Sequence, residues 1–194
     1  MKRPALCIYC GSRPGERAEY AEAARQVGRA IGERGWQLVY GGGRAGLMGI
    51  VADAALAAGA PVCGVIPRSL MEREVGHRGL TELHVVETMH ERKLMMAERS
   101  DAFVALPGGI GTFEELFEVW SWRQLGYHDK PLGLLNTGGY YGALLTFMQQ
   151  TVVQGFVAAP QHALLEVDAD PRALLDRIAA AMPLATAPDD YRHI

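Results

Sequence analysis

The sequence of 194 residues is short of cysteine and of long apolar runs, and both shortages narrow its class. Three cysteines are an odd number, which argues against a disulfide framework and favours a reducing compartment. No stretch approaches the roughly 18 consecutive apolar residues that a membrane span requires. The first residues are followed by only a short apolar run, so they lack the hydrophobic core of a signal peptide. We therefore expect a cytoplasmic protein with no membrane partner.

Clustered positive charge is also lacking, since the net charge is -3 and no run of Lys or Arg occurs. A nucleic-acid-binding surface needs clustered positive charge to displace phosphate counterions, so we expect no nucleic-acid partner. A small phosphorylated ligand stays compatible with this balance, because a few placed donors suffice. The sequence also contains no G-x-x-x-x-G-K-[ST] motif, and its six histidines lack the spacing of zinc ligands. These absences argue against a P-loop NTPase and give no support to a metal site.

Short apolar runs alternate along the chain with longer stretches of helical periodicity, beginning with Ala5–Cys10, Ala18–Arg34 and Trp36–Tyr40. This alternation is typical of βαβ units. Several apolar runs, among them Pro61–Ile66 and Ala102–Leu106, have no polar face, as expected of strands in a parallel sheet that helices cover on both sides. The sequence therefore predicts an α/β fold with a doubly wound, Rossmann-like parallel sheet.

No internal repeat, low-complexity tract or linker divides the chain. We therefore expect one Rossmann-like domain over residues 1–182. The last stretch, residues 183–194, is rich in Ala, Pro and Asp without periodicity, and its composition predicts a flexible tail.

Three predicted strand-to-helix turns contain unusual glycine: Cys10–Ser12, Gly41–Gly46 and Pro107–Thr112. Such turns matter because ligands of open α/β sheets lie beyond the carboxyl ends of the strands. The first turn contributes Ser12 and the second contributes Gly42 to the candidate substrate-binding residues. The second turn fits G-x-G-x-x-G, but no acidic residue follows about 20 positions later to hold the ribose of a dinucleotide, which disfavours an NAD-dependent oxidoreductase. We interpret it as a second wall of a ligand site, with plain helix–strand packing as the alternative.

The turn at Pro107–Thr112 is the strongest candidate for an anion site. Its glycines let the backbone approach a phosphate, while unpaired N–H groups and the dipole of a helix predicted at Thr112–Leu125 face the anion. The alternative is a tight connection in which Thr112 caps the helix and Glu115 completes a capping box. The two interpretations are compatible. The candidate phosphate-binding residues are Gly108, Gly109, Ile110, Gly111 and Thr112.

Two cations, Arg92 and Lys93, stand side by side near the start of a helix predicted at Met89–Arg99. Positive charge at a helix N-terminus opposes the helix dipole, so this placement favours an anionic ligand nearby. The alternative is a solvated charged turn in which Glu91 and Glu98 are the partners of the two cations.

These motifs together resemble the Lonely Guy family of cytokinin riboside 5′-monophosphate phosphoribohydrolases. The resemblance rests on three segments, Gly41–Gly49, Met89–Lys93 and Pro107–Glu115, and extends to Cys10–Ser12 and Leu125–Asn136. It implies a Rossmann-like fold and a homodimer with shared active sites. It also implies hydrolysis of N6-modified adenosine monophosphates, or of AMP, to free base and ribose 5-phosphate.

The resemblance also implies roles for individual residues. Arg92 and Glu115 stand where the family has its catalytic pair, and Arg92 is counted with the substrate-binding residues as well. The other substrate-binding residues that it implies are Glu74, Lys93, Gly108, Gly109, Ile110, Gly111, Thr112, Phe113, Glu114 and Ser121.

The chemistry of N-glycosidic cleavage suits such a set. Positive charge develops on the ribose, so a carboxylate beneath the sugar stabilises that state and can position or deprotonate water. We assign this role to Glu115, while Arg92 would hold the phosphate or ribose hydroxyls, or orient Glu115. Neither a metal nor an organic cofactor is required. A non-catalytic nucleotide-binding carrier or sensor would share the glycine turns and stays open as an alternative.

Overall fold

Seven strands form one parallel sheet in the computed structural model, which describes residues 3–71 and 76–191. Across the sheet their order is β4-β3-β2-β1-β5-β6-β7, so the chain winds outward from β1 in one direction and from β5 in the other. The predicted doubly wound, Rossmann-like fold is confirmed. The strands are β1 (Ala5–Tyr9), β2 (Gln37–Tyr40), β3 (Val62–Pro67), β4 (Glu82–Val86), β5 (Ala102–Ala105), β6 (Leu132–Leu135) and β7 (Leu165–Asp168).

Helices cover both faces of the sheet. They are α1 (Ala18–Glu33), α2 (Gly46–Ala57), α3 (Arg68–Met71), α4 (Met89–Glu98), α5 (Ile110–Gln124), α6 (Gly142–Val153), α7 (Ala159–His162) and α8 (Pro171–Ala181), with 3₁₀ turns at Thr137–Gly139 and Met182–Leu184. None of the helices in the described part of the chain combines the length and the apolar character needed to cross a lipid bilayer.

The alternation of side chains along β1 shows how the two layers are divided. Leu6 and Ile8 lie in a buried cluster with residues of α1, α2 and α8, whereas Cys7 and Tyr9 lie in a second cluster with residues of α4, α5 and α6. Both clusters are apolar, which explains why the strand sequences have no polar face. The described residues thus share one sheet with two apolar layers.

The predicted strands and longer helices are all present, with ends that differ by at most a few residues. The short helices α3 and α7 were not predicted, because four residues are too few to show a helical period. The capping-box interpretation of Thr112 and Glu115 is wrong. Gly109 is the N-cap of α5 and no side chain caps it, so Thr112 lies inside the first turn.

The C-terminal segment makes contacts with the rest of the domain up to Tyr191. Asp129 Oδ2 accepts hydrogen bonds of 2.8 Å from the backbone N–H groups of residues 186 and 187. The ring of Tyr191 is buried against Trp122 and His128. Lys130 donates to the Tyr191 hydroxyl at 3.2 Å. Composition alone does not reveal these contacts, because a single aromatic anchor leaves no periodic pattern.

Candidate active site

The strand order leaves a crevice at the carboxyl ends of β1 and β5. The helix after β1 packs on one face of the sheet and the helix after β5 packs on the other, so the two connecting turns diverge at this point. Gly11 N–H donates to the carbonyl of Pro107 at 3.1 Å and ties the two turns together. A cleft of about 500 Å³ opens here, a size that suits a small ligand.

Backbone forms much of the wall where the two turns meet. A Cβ at Gly11 would lie 2.9 Å from the carbonyl oxygen of Arg13 and 3.3 Å from the Cα of Gly108. A Cβ at Gly108 would collide with the side chain of Thr112 and would lie 2.8 Å from the amide nitrogen of Gly11. Because neither position has room for a side chain, the two turns bring their peptide groups directly to the cleft.

The N-terminus of α5 opens into the same cleft. Its N-cap, Gly109, has an extended backbone and no capping side chain, and Gly109, Ile110 and Gly111 are exposed. A Cβ at Gly109 or Gly111 would meet no other atom within 4 Å, so these glycines border open space. An uncapped helix N-terminus presents free N–H groups and the positive end of the helix dipole, which together suit an anion.

Arg92 is buried in the floor of the cleft and reaches it from α4. Its Nε donates to the carbonyl of Val65 at 3.1 Å, and its Nη2 donates to the carbonyl of Gly41 at 3.1 Å. A Cβ at Gly41 would collide with Nη2, so the guanidinium occupies the space that a side chain would fill. One carbonyl within β3 and one directly after β2 therefore fix the plane of the guanidinium.

Glu115 approaches the third nitrogen of this guanidinium from α5. Its Oε1 lies 3.8 Å from Nη1 of Arg92, and the two side chains expose only 11% and 6% of their surface. Both line the cleft. This separation is longer than a direct hydrogen bond. The two side chains therefore form a close ion pair, and both contribute polar atoms to the wall of the cleft. The floor thus carries a carboxylate and a guanidinium of opposite charge close to the uncapped N-terminus of α5.

Cys10 is a further ionisable side chain that lines the cleft. Burial, followed by the charge of Glu115, raises the pKa of its thiol well above the usual value. The thiol is therefore protonated and is a poor nucleophile near neutral pH.

More than half of the candidate site residues are brought together around the cleft. They come from the turn after β1, from α4 and from the turn that leads into α5, which are separated in sequence by as many as a hundred residues. The candidate residues that line the cleft are Ser12, Arg92, Gly108, Gly109, Ile110, Gly111, Thr112 and Glu115.

Lys93 and Glu114 lie beside the cleft of this single chain and do not line it. Lys93 Nζ contacts Glu114 Oε1 at 2.5 Å and Glu118 Oε1 at 2.8 Å. Burial disfavours the charge on Lys93, but the hydrogen bonds to the two carboxylates outweigh it and raise the pKa of the lysine. The ammonium is therefore charged and held on the outer side of α5.

Three other candidates also lie away from the cleft. The ring of Phe113 packs edge-on against Tyr141, with 6.1 Å between centroids. Ser121 is exposed further along α5. Gly42 is buried behind the floor, where a Cβ would lie 3.1 Å from the Cβ of Ile66. A fourth candidate, Glu74, falls outside the described residues.

Sequence reasoning missed three charged or aromatic residues that line the cleft: Arg13, Tyr20 and Tyr140. The Tyr140 hydroxyl donates to the carbonyl of Gly108 at 2.6 Å, and the rings of Tyr20 and Tyr140 meet edge-to-face at 5.6 Å. Arg13 directly follows Ser12, a predicted site residue, and this adjacency could have identified Arg13 from the sequence. Tyr140 comes from the loop after β6, and only the folded chain brings it to the turn before α5.

Comparison with known proteins gives closely similar relatives. The model of a family described as "Possible lysine decarboxylase" matches residues 48–178. A probable cytokinin riboside 5′-monophosphate phosphoribohydrolase of Oryza sativa subsp. japonica is 46% identical over 178 residues, which cover 92% of this chain and 71% of the relative. A cytokinin riboside 5′-monophosphate phosphoribohydrolase of Arabidopsis thaliana is 52% identical over 153 residues, covering 79% of this chain and 70% of the relative.

Solved structures of lower identity share the fold. A molybdenum cofactor binding protein of the phototrophic bacterium Rippkaea orientalis superposes with a TM-score of 0.72 at 20% identity, covering 94% of this chain and 99% of that one. The molybdenum cofactor carrier protein of Chlamydomonas reinhardtii gives a TM-score of 0.68, also at 20% identity and with the same coverage. At this identity the likeness concerns the Rossmann-like fold alone.

The lysines bear on the description that the family model carries. A pyridoxal-phosphate decarboxylase needs a lysine that forms a Schiff base in its active site. Of the lysines in the described ranges, Lys93 is held by Glu114 and Glu118, and Lys130 is buried against the carbonyl of Ala97, so neither lines the cleft. The placement of the lysines opposes lysine decarboxylation. The chain belongs to the Lonely Guy family, whose curated members are cytokinin riboside 5′-monophosphate phosphoribohydrolases.

Proposed function

We propose that this chain hydrolyses the N-glycosidic bond of adenosine 5′-monophosphates, with or without an N6 substituent, and releases free base and ribose 5-phosphate. The names of its rice and Arabidopsis relatives describe this type of reaction on cytokinin nucleotides. The observation that carries the proposal is the approach of Glu115 Oε1 to Arg92 Nη1, at 3.8 Å, directly below an uncapped helix N-terminus. One end of the cleft suits a sugar that gains positive charge, and the other suits a phosphate.

Glu115 is the catalytic residue in this mechanism. As the bond between C1′ and the base nitrogen breaks, the ribose acquires oxocarbenium character, which the carboxylate stabilises. Water then adds its oxygen to C1′ and gives a proton to Glu115, while the departing base takes up a proton from solvent. Glu115 returns its proton to solvent, so each turnover consumes one water. The Glu115 side chain is largely withdrawn from solvent, so its electrostatic effect on the sugar is stronger than it would be in bulk water.

Arg92 directs the carboxylate in the same scheme. Two of its nitrogens are already bonded to the carbonyls of Val65 and Gly41, which leaves Nη1 toward Glu115. The guanidinium therefore serves as a rigid support for Glu115 and a contact for ribose hydroxyls. The phosphate rests on the N–H groups from Gly108 to Thr112, and this anchor holds C1′ in register with the carboxylate.

Incubation of the purified protein with AMP, and separately with isopentenyladenosine monophosphate, tests the proposal. Chromatography should reveal free adenine or isopentenyladenine together with ribose 5-phosphate, and the ratio of the two rates ranks the substrates. Binding of both nucleotides with no release of base would contradict the hydrolase and would favour the non-catalytic nucleotide carrier or sensor.

A homodimer is part of the proposal, and the outer face of α5 supports it. Three apolar residues are exposed along this face, Ile110 at 84%, Phe117 at 39% and Leu125 at 62%. Their spacing places them on one side of the helix, where they alternate with Glu114 and Ser121. A second copy packed on this face would cover the apolar side chains. It would also bring Glu114 and Ser121, which the resemblance assigns to substrate binding, to a cleft shared between subunits.

Size-exclusion chromatography with light scattering gives the molar mass of the protein in solution and therefore the number of subunits. We expect a dimer for the natural chain and a smaller species for Phe117→Glu, because a carboxylate buried in an apolar interface is costly. Base release should fall together with dimerisation if the sites are shared. A monomeric natural chain with full activity would contradict this part of the proposal.

A cytoplasmic location also belongs to the proposal. All three cysteines are unpaired and buried, and burial raises the pKa of the Cys7 thiol to about 12. Free thiols of this kind are typical of proteins in reducing compartments. Cell fractionation with an antibody against the chain tests the assignment.

A further inference from the structure

Two cationic side chains line the cleft among the described residues, Arg13 and Arg92. The guanidinium of Arg92 is committed to the floor, since two of its nitrogens donate to backbone carbonyls and the third faces Glu115. A phosphate monoester carries about -1.5 to -2 charge near neutral pH. A helix N-terminus supplies only about half a positive charge. The N-terminus of α5 therefore does not neutralise the negative charge of the phosphate, and the positive charge of Arg92 is paired with Glu115.

Arg13 has the position and the freedom to supply the missing charge. It lies in the turn after β1, whose backbone packs closely on two glycines. A Cβ at Gly11 would lie 2.9 Å from the Arg13 carbonyl oxygen, and a Cβ at Gly46 would collide with the backbone of Ser12 and Arg13. This packing fixes the base of the side chain at the cleft. The side chain itself is exposed, and no ion pair of the described residues involves it.

Arg17, four residues later in the same segment, has a guanidinium that is already bound by other residues of the protein. Its Nη2 lies 2.5 Å from Glu19 Oε1, its Nη1 donates to the carbonyl of Gly138 at 3.2 Å, and its guanidinium lies over the ring of Tyr20. Arg17 does not line the cleft. The two arginines thus differ in their partners, although they lie in one loop and both are exposed.

We propose that Arg13 binds the 5′-phosphate of the substrate from the mouth of the cleft, opposite the N-terminus of α5, and selects nucleoside monophosphates over nucleosides. This inference rests on the proposed function, because it assigns one further residue to that reaction. The planar fork of a guanidinium matches two phosphate oxygens, and such charged bidentate contacts are stronger than neutral ones. Cationic roles are then divided: Arg13 holds the phosphate and Arg92 supports Glu115 at the sugar.

Arg13→Gln tests the inference through the substrate's phosphate. Loss of a charged contact of this kind should raise KM for AMP by about 10-fold or more. We expect kcat to change by less than about threefold, because the contact is made equally in the bound substrate and in the transition state. The preference for AMP over adenosine, expressed as the ratio of their kcat/KM values, should fall by the same factor as KM rises. Arg13→Lys, which keeps the charge but loses the fork, should be intermediate.

Arg17→Gln is the matched control, since it removes the same charge from the same loop. We expect its KM for AMP and its preference for AMP over adenosine to stay near those of the natural chain. Equal increases of KM in the Arg13 and Arg17 variants would indicate that the substrate responds to the total positive charge of the loop. That result would overturn the specific contact. An unchanged KM in Arg13→Gln would overturn it as well.

Binding of ribose 5-phosphate, measured by titration calorimetry, separates this inference from the proposed function. We expect Arg13→Gln to bind this ligand at least about 10-fold more weakly than the natural chain. If that loss occurs but no protein releases base, the phosphate contact stands and the hydrolase is wrong. If base is released and both proteins bind ribose 5-phosphate equally, the hydrolase stands and the role of Arg13 is wrong.

Discussion

Two glycine-rich turns serve the cleft in different ways. In the turn after β2, the missing side chain of Gly41 makes room for the guanidinium of Arg92. In the turn before α5, Gly109 and Gly111 border open space, where a ligand can approach the backbone. Glycine thus admits a protein group to the floor in one case and leaves the rim open in the other. We expect changes to the floor to lower kcat and changes to the rim to raise KM.

The largest effect is expected at the floor, from Glu115→Gln. The amide keeps the shape of the side chain but removes the charge and the capacity to accept a proton, so kcat for base release should fall by a factor of about 10² or more. Single-turnover measurements with AMP give this value directly. Glu98→Gln, a change of the same type at an exposed position outside the cleft, is the control. Near-native turnover by Glu115→Gln would show that the carboxylate has another role.

The next effect is expected from Gly41→Ala, which changes the floor without replacing an ionisable side chain. The added methyl would collide with Nη2 of Arg92 and would lie 3.3 Å from the sulfur of Met48. Because small displacements of a catalytic pair are costly, kcat should fall about 10-fold or more. Gly142→Ala is the control, since a Cβ there meets no other atom within 4 Å.

Arg92→Lys keeps this prediction testable if Gly41→Ala folds poorly. A lysine keeps the positive charge and leaves the residue at position 41 unchanged, but its single nitrogen cannot replace the three that face Val65, Gly41 and Glu115. It should reproduce the loss of kcat with little change of KM. A rise of KM alone in either variant would place Arg92 at the phosphate instead of the floor.

A smaller effect is expected at the rim, from Gly111→Ala, which should stabilise the fold but weaken substrate binding. The methyl meets no protein atom within 4 Å and replaces a flexible residue in the first turn of α5. Chemical denaturation should therefore give a free energy of unfolding about 0.5 kcal/mol higher than that of the natural chain. The same methyl enters the space of the ligand, so KM for AMP should rise several-fold while kcat is retained. A lower KM would contradict the assignment of this turn to the phosphate.

The sequence predicted the strands and the longer helices of this fold, and it predicted the turn before α5 as part of the site. It did not predict every residue that lines the cleft. Alternating apolar runs are a local property, so the strands and the longer helices could be predicted from them. Arg92 and Lys93 look equivalent in sequence, yet successive residues of a helix point about 100° apart. One side chain therefore reaches the floor and the other pairs with Glu114. Tyr140 has no local signal, because only the folded sheet brings its loop to Gly108.

The smallest effect is expected from Tyr140→Phe, which changes how the rim is held. The hydroxyl of Tyr140 donates to the carbonyl of Gly108 at 2.6 Å on an exposed side of the cleft. Removing a neutral hydrogen bond of this kind should raise KM for AMP about two- to threefold, with kcat unchanged. Tyr127→Phe, outside the cleft, is the control. A loss of kcat in place of a rise in KM would mean that the rim also sets the position of the sugar over Glu115, and the separation of floor and rim would fail.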